Sequence, residues 1–355
     1  MYRLAFVLLP EFSNLGLAAA VEPLFVANWL AQDALFAWTL VSVDGEPVKA
    51  SNGMRIPVDG DLGLGEGCGT VFVLASFDAL TAVRNPRLLR WLKRQARADV
   101  ELAGLENGTL ALAEAGLLGS QRVAVHWDNL IGFTERHPAV RPASQLFVHG
   151  SKRISSAGGA AILDLMLAWI GWQGYPDLAT EVAQHLLIGA ARRGDSEQRP
   201  PRSEVEANSD AGVALAVRIM RQTFDEPISC EELAVRVGLS LRQLERRFRA
   251  ALDCSIVDQY RHIRMAAAHQ LLQQTELSVL EAAVACGFSS PEYFCKLYRR
   301  EFRCSPSSDR RQSTRAPVLR QRAPPPPGTG RGERNADAQE RRLERGPKWA
   351  LRGKR

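Results

Sequence analysis

Residues 100–117, Val-Glu-Leu-Ala-Gly-Leu-Glu-Asn-Gly-Thr-Leu-Ala-Leu-Ala-Glu-Ala-Gly-Leu, read as a strand, a tight turn and a helix. An elbow of this kind lifts one side chain, here Glu106, to the carboxyl end of a sheet, where α/β proteins build ligand sites. A carboxylate in that place can hold a cation or share a proton. It cannot stand in for a thiolate nucleophile, whose reactivity rests on soft sulfur and a lowered pKa. Cys68 is the only cysteine of the first half and lies in a Gly-rich loop, so it reads as structural and no residue is assigned a catalytic role.

A second chemistry is written between residues 229 and 303. Ser229 has Glu232 three residues on, Ser240 has Gln243 and Ser278 has Glu281, each the signature of a capping box at a helix start. Ser290 followed by Pro291 marks a fourth start. Helix, Gly238 turn and a helix opened by Ser240, with Ala234, Leu244 and Phe248 facing inward, make a helix-turn-helix. The pattern repeats with Ser278, Ala283, Gly287 and Ser290-Pro291, then Phe294, Tyr298 and Phe302 inward. A helix over 255–274 joins the two units.

The outer face of each second helix is basic. Arg242, Arg246, Arg247 and Arg249 serve the first, Lys296, Arg299, Arg300 and Arg303 the second. A recognition helix offers its first residues to base edges and others to phosphates. Arg242, Gln243 and Arg246, with the cap Ser240, are the expected readers in unit one. Arg247 lies alongside them, while Ser289, Ser290, Glu292 and Lys296 hold that place in unit two, with Arg299 and Arg300 alongside. Bidentate Arg to guanine is the commonest such contact.

These residues need scaffolds. The chain has 355 residues, 46% hydrophobic and 24% charged, a length that suits two domains. Its net charge of +6 is not evenly spread: residues 1–207 hold 18 basic and 22 acidic groups, 208–310 hold 14 and 13, and 311–355 hold 13 and 4. The tail supplies the excess, so DNA binding rests on local pattern rather than bulk charge. Short apolar runs at 4–9, 37–43, 70–74, 100–102 and 123–125 predict buried strands, with helices over 85–97, 109–117 and about 177–191, and a long apolar helix after Gly158-Gly159. Such alternation predicts an α/β domain with a mostly parallel, flavodoxin-like sheet over 1–193. Residues 194–209 read as a linker, 210–310 as an all-α domain and 311–355 as a disordered basic tail. No CxxC pair or His cluster suggests a metal or a disulfide, and no cofactor is expected. No apolar run is long enough to cross a bilayer, the best being 160–172, and no secretory signal precedes the first strand, so a cytoplasmic protein without membrane contact is expected.

Gly287-Phe-Ser-Ser-Pro-Glu-Tyr-Phe-Cys-Lys-Leu-Tyr-Arg-Arg-Glu-Phe302, closing with Cys304-Ser-Pro306, resembles the signature of the AraC/XylS regulator domain. The resemblance implies two recognition helices in successive major grooves. Two positions depart from it. Arg303 stands where Gly is usual, and Asp309 where an aromatic is usual, which predicts a loosened domain end. Residues 2–193 resemble the PfpI/class I amidotransferase-like domain of GlxA-type regulators through Ala103-Gly104, Leu112–Leu118, His126-Trp127 and Ser156–Gly159. The enzymes of that fold carry a Cys where this chain has Glu106. Glu22 matches the position at which the fold brings a second carboxylate to the elbow. Two facing carboxylates repel unless they share a proton or meet a cation, and Trp127 would add cation–π attraction.

A subgroup of these regulators has an acidic elbow and shares the runs at Glu22–Asn28 and Ala50–Gly53. Its members look like sensors of arginine, carnitine or glycine betaine. The expectation is therefore a transcriptional regulator, in the activator sense, binding double-stranded promoter DNA and RNA polymerase as a homodimer. Its small-molecule effector would sit among Glu22, Glu106, His126 and Trp127. The alternatives are a PfpI-like amidase or hydratase fused to a DNA-binding domain, an amino-terminal domain that only dimerises, and a Glu106 that is merely a solvated turn residue.

Overall fold

A computed structural model describes residues 1–76, 79–198 and 211–313. Its main sheet is built from β1 (Tyr2–Leu8), β2 (Phe36–Ser42), β5 (Gly60–Asp61), β6 (Thr70–Ala75), β7 (Glu101–Glu106), β10 (Phe147–His149) and β11 (Arg153–Ser156), in the order β10-β11-β7-β6-β1-β2-β5. Every pairing in it is parallel except β10 with β11, an antiparallel edge. The central strands β1 and β6 are near-continuous apolar runs because both of their faces are covered. Two small sheets stand apart: β3 (Val48–Lys49) with β4 (Arg55–Ile56), and β8 (Arg122–Ala124) with β9 (Arg141–Ala143). The run at 123–125 is thus a strand, as expected, but it pairs outside the main sheet.

Among the described residues the helices of this domain are α1 (Asn14–Ala31), α2 (Ala79–Val83), α3 (Pro86–Arg97), α4 (Gly108–Glu114), α5 (Leu130–Arg136), α6 (Ala161–Trp172) and α7 (Pro176–His185). Side chains alternate across the strands. Leu4, Phe6 and Leu8 enter the core shared with α1, α6 and α7, while Ala5, Val7 and Leu9 enter the core shared with α3 and α4. The expected α/β domain is therefore present. The helix predicted to 191 stops at His185, and the chain turns at Leu187 with φ 57°. The helix α1 was not apparent in the sequence. It is 18 residues long with a mean hydropathy of 1.2, which is long and apolar enough by length and composition to cross a membrane, contrary to the expectation. Its Gly16, Leu17, Ala20, Leu24 and Ala27 face lies buried in the domain core.

The carboxyl-terminal part is all helix: α8 (Ala211–Gln222), α9 (Cys230–Arg236), α10 (Leu241–Leu252), α11 (Ile256–Gln274), α12 (Val279–Ala285), α13 (Pro291–Phe302) and α14 (Pro306–Ser313). Two cores form side by side. Val217, Leu233, Leu244 and Phe248 hold the first unit, and Leu271, Ala283, Phe294 and Tyr298 the second. The first residues of the expected linker belong to the α/β domain instead. Gln198 is buried, donating to the carbonyls of Val125 and Gln145 and accepting from the Trp127 N–H. Residues 199–210 and the tail beyond 313 lie outside the described residues.

Candidate effector pocket and DNA interface

The elbow forms because β7 must turn straight into α4. Glu106 takes up that turn with φ 57°, a left-handed conformation that costs a non-glycine residue energy and recurs at functional sites. Gly108 makes the return possible: a Cβ there would run into the Val73 carbonyl of the neighbouring strand. Asn107 fastens the turn, its N–H donating to the Ala75 carbonyl at 2.9 Å and its Nδ2 to the Ser76 carbonyl at 2.5 Å.

The Glu106 side chain is half-buried rather than solvated. Among the described residues no ion pair reaches it. Burial pushes its carboxyl up to about 7. The Ser76 hydroxyl beside it pulls the other way, yet finds no partner at full hydrogen-bond geometry. Glu22, the second carboxylate expected from sequence, adds no like-charge contribution to Glu106. It is exposed on α1, two turns past the helix start, and burial rather than like charge raises Glu106.

The segment that carries His126 and Trp127 is tied to the elbow at Asn129, whose amide donates to Asn107 Oδ1 at 2.9 Å. His126 caps the 3-10 turn Trp127–Asn129, its Nδ1 accepting from the Asp128 N–H at 3.3 Å. Its ring lies 5.2 Å from that of Trp127. Burial pushes His126 down, with Asp128 opposing, so it is mainly neutral at pH 7 and does not repel a cation. Cys68 is buried and its thiol is pushed up by burial, which suits a packing residue.

In the helical domain the local signals hold closely. Ser240 and Ser278 make full capping boxes with Gln243 and Glu281. Ser229 makes only half of one. Its Oγ accepts from the Glu232 N–H, but the Glu232 carboxylate turns to Arg236 at 2.6 Å. Gly238 and Gly287 make equivalent turns, both with φ 72°. Arg264 braces the second turn, donating to the Cys286 carbonyl at 2.7 Å and lying over the Phe288 ring at 4.1 Å.

Ser240, Arg242, Gln243 and Arg246 are exposed at the start of α10, with Arg247 half-buried beside them. Gln243 is already engaged, since its Oε1 accepts from both the N–H and hydroxyl of Ser240. It acts first as a cap. On α13, Glu292, Lys296, Arg299 and Arg300 are exposed, Ser289 is exposed just before it, and Ser290 is the half-buried N-cap. Tyr293, 49% exposed on the first turn of α13, was missed in the sequence because the aromatics around it point inward.

Two helix-turn-helix units, each with a capped second helix that shows arginines to solvent, are the architecture of a DNA-binding regulator. A helix-turn-helix domain family matches residues 233–312. The chain is 40% identical to the HTH-type transcriptional regulator CdhR of Pseudomonas aeruginosa, over 94% of this chain and 98% of that one. It is 35% identical to the HTH-type transcriptional regulator GbdR of the same species, over 86% and 83%. A crystal structure of an AraC family transcriptional regulator from Pseudomonas putida is similar over 52% of this chain and all of that one, with 28% identity and a TM-score of 0.49. The chain belongs to the AraC family of HTH-type transcriptional regulators.

Proposed function

We propose that this regulator is switched by a small cationic metabolite bound at Glu106. The observation that carries the reading is the half-buried carboxyl at the elbow, held in a strained backbone and raised toward neutrality without a cationic partner among the described residues. Such a group gains most from a ligand that brings the missing positive charge. A neutral His126 and the Trp127 ring stand on the segment tied to it. Amines and guanidines such as arginine, carnitine and glycine betaine fit that chemistry. The ligand would bias promoter binding, in the activator sense, for a dimeric protein that meets RNA polymerase on DNA in the cytoplasm.

The reading is not enzymatic. The elbow has no thiol, and the one cysteine of the domain is buried away from it. Calorimetric titration with arginine, carnitine, glycine betaine and dimethylglycine tests the proposal. Binding by at least one, lost in Glu106→Ala, is expected. No heat from any of them, or unchanged binding in the variant, overturns the cationic pocket while leaving DNA binding intact.

A further inference from the structure

The elbow helix α4 is connected at both ends to the carboxyl-terminal half of α11, the helix that joins the two DNA-binding units. At its start, Asn107 holds Asn129, and the neighbouring Asp128 receives two amides from α11. Gln270 Nε2 donates to Asp128 Oδ1 at 2.7 Å and Gln274 Nε2 to the Asp128 carbonyl at 2.9 Å. At its end, Glu114 takes ion pairs from Arg136 and Arg84. Burial would raise the Glu114 carboxyl, but these two guanidiniums hold it below its ordinary value. Arg136 goes on to the Gln274 carbonyl and Arg84 to Glu276, just past the end of α11.

The surface between is fitted closely. A Cβ on Gly132 of α5 would fall 2.7 Å from Gln274 Oε1 and 2.8 Å from its Cβ, so only a bare backbone lets α5 approach. Ile131 beside it packs into the core of the second unit. Among the described residues nothing from the α/β domain enters the core of the first unit. The grip is one-sided: it fixes the unit that carries α13 and leaves the unit that carries α10 without such an anchor.

We propose that the 3-10 turn Trp127–Asn129 and α5 form a latch that couples the elbow to the second DNA-binding unit, with Asp128 and Gly132 as its decisive residues. A ligand that moves Asn107 or the start of α4 moves Asn129 and Asp128 with it. Asp128 then releases or re-seats the end of α11, which re-aims α13 against α10. Coupling of this kind is reciprocal, so DNA must change ligand affinity by the same factor as ligand changes DNA affinity. The proposal rests on the elbow being the ligand site.

The test uses the full chain as wild type, Asp128→Leu, Asp128→Asn and Gly132→Leu. Asn keeps an acceptor for Gln270, and Leu at 128 removes it. Without any ligand, hydrogen exchange in peptides from Ile256–Gln274 should quicken at least about five-fold in Asp128→Leu, stay near wild type in Asp128→Asn, and leave Leu241–Leu252 unaltered. With the amine that binds, promoter DNA should shift its dissociation constant at least about five-fold in wild type and Asp128→Asn, and less than about two-fold in Asp128→Leu and Gly132→Leu. Unaltered exchange in Asp128→Leu overturns the latch whether or not any amine binds. Quickened exchange with the wild-type shift retained shows a structural contact only, and also overturns it. If no amine binds, the ligand class has failed and the exchange arm alone decides the latch.

Discussion

A Cβ placed on Gly158 would come within 2.5 Å of the Glu106 Cγ, and Gly158 itself sits at φ 103°. Gly158, the first of the two glycines after β11, is therefore the wall against which the elbow carboxyl is folded. Gly158→Ala combines a collision with a backbone conformation that alanine resists. It should destabilise the protein by about 1–3 kcal/mol and push Glu106 out of its half-buried place. Calorimetry should show effector affinity falling at least tenfold, with promoter affinity in the absence of effector unaltered. Wild-type effector binding in Gly158→Ala would mean that the elbow carboxyl is not the site.

The raised Glu106 carboxyl also predicts a stability profile. Its folded value is about 7, against 4.5 for the ordinary group, so the folded state holds the extra proton between those limits. Stability from this group is highest below about 4.5, falls as pH rises toward 7, and stays low above it. Glu106→Gln removes that dependence. Chemical denaturation should find the variant more stable than wild type at pH 8, by up to about 3 kcal/mol for a shift of this size, with the gap closing at pH 5. Ligand binding has a matching sign: a cation charges the carboxyl, so binding near pH 7 should release protons and weaken as pH falls. Equal pH profiles for wild type and Glu106→Gln would sink this account.

The helical domain and the elbow were legible in the sequence because their signals are local. A cap and its N3 partner are three residues apart, and the elbow is a strand, a turn and a helix in one run. Glu106 was thus legible at the elbow, whereas the place of Glu22 depends on where along α1 the chain meets the sheet, which no local signal fixes. The helix α1 itself gave little signal. It is apolar on most sides and contains Pro23, so no polar stripe marks it. The short strands β10 and β11 depend on partners far along the chain. Least legible was the latch, since Asp128 and Gln270 lie 142 positions apart and neither residue type announces a contact.

On α10 the exposed arginines are distinct from the residues that cap the helix. Arg242 and Arg246 are exposed with no role in the helix start, so Arg242→Ala and Arg246→Ala should each cost about 1–3 kcal/mol of promoter affinity and relax sequence preference. Gln243 holds the Ser240 box, so Gln243→Ala should instead cost about 1 kcal/mol of stability. Anisotropy titrations on promoter and random DNA, beside thermal unfolding, distinguish these outcomes. A loss of sequence preference in Gln243→Ala at unaltered stability would reverse the assignment.

The end of the domain is tied down rather than loosened. Asp309, expected from sequence to weaken it, is buried and accepts from the Tyr298 hydroxyl at 2.6 Å, with His269 Nδ1 at 2.9 Å. The His269 ring stacks on Phe302 at 4.4 Å, so α11, α13 and α14 meet at one carboxylate. Burial and then Asp309 hold the Tyr298 hydroxyl in its protonated, donating form. Removing the carboxylate costs its charge-assisted bond, about 1–3 kcal/mol, and leaves the hydroxyl only His269 Nδ1 at 2.8 Å as a partner. Asp309→Ala should therefore speed hydrogen exchange across Pro291–Phe302 while Leu241–Leu252 keeps its protection. Asp309→Asn, which retains an acceptor for Tyr298, should lose less. Arg303 is a separate weakness at the same end. It closes α13 at φ 59°, where glycine carries no steric penalty, so Arg303→Gly should stabilise the unit by about 1 kcal/mol. If Asp309→Ala leaves exchange in α13 at the wild-type rate, the carboxylate is not what fastens the end of this domain.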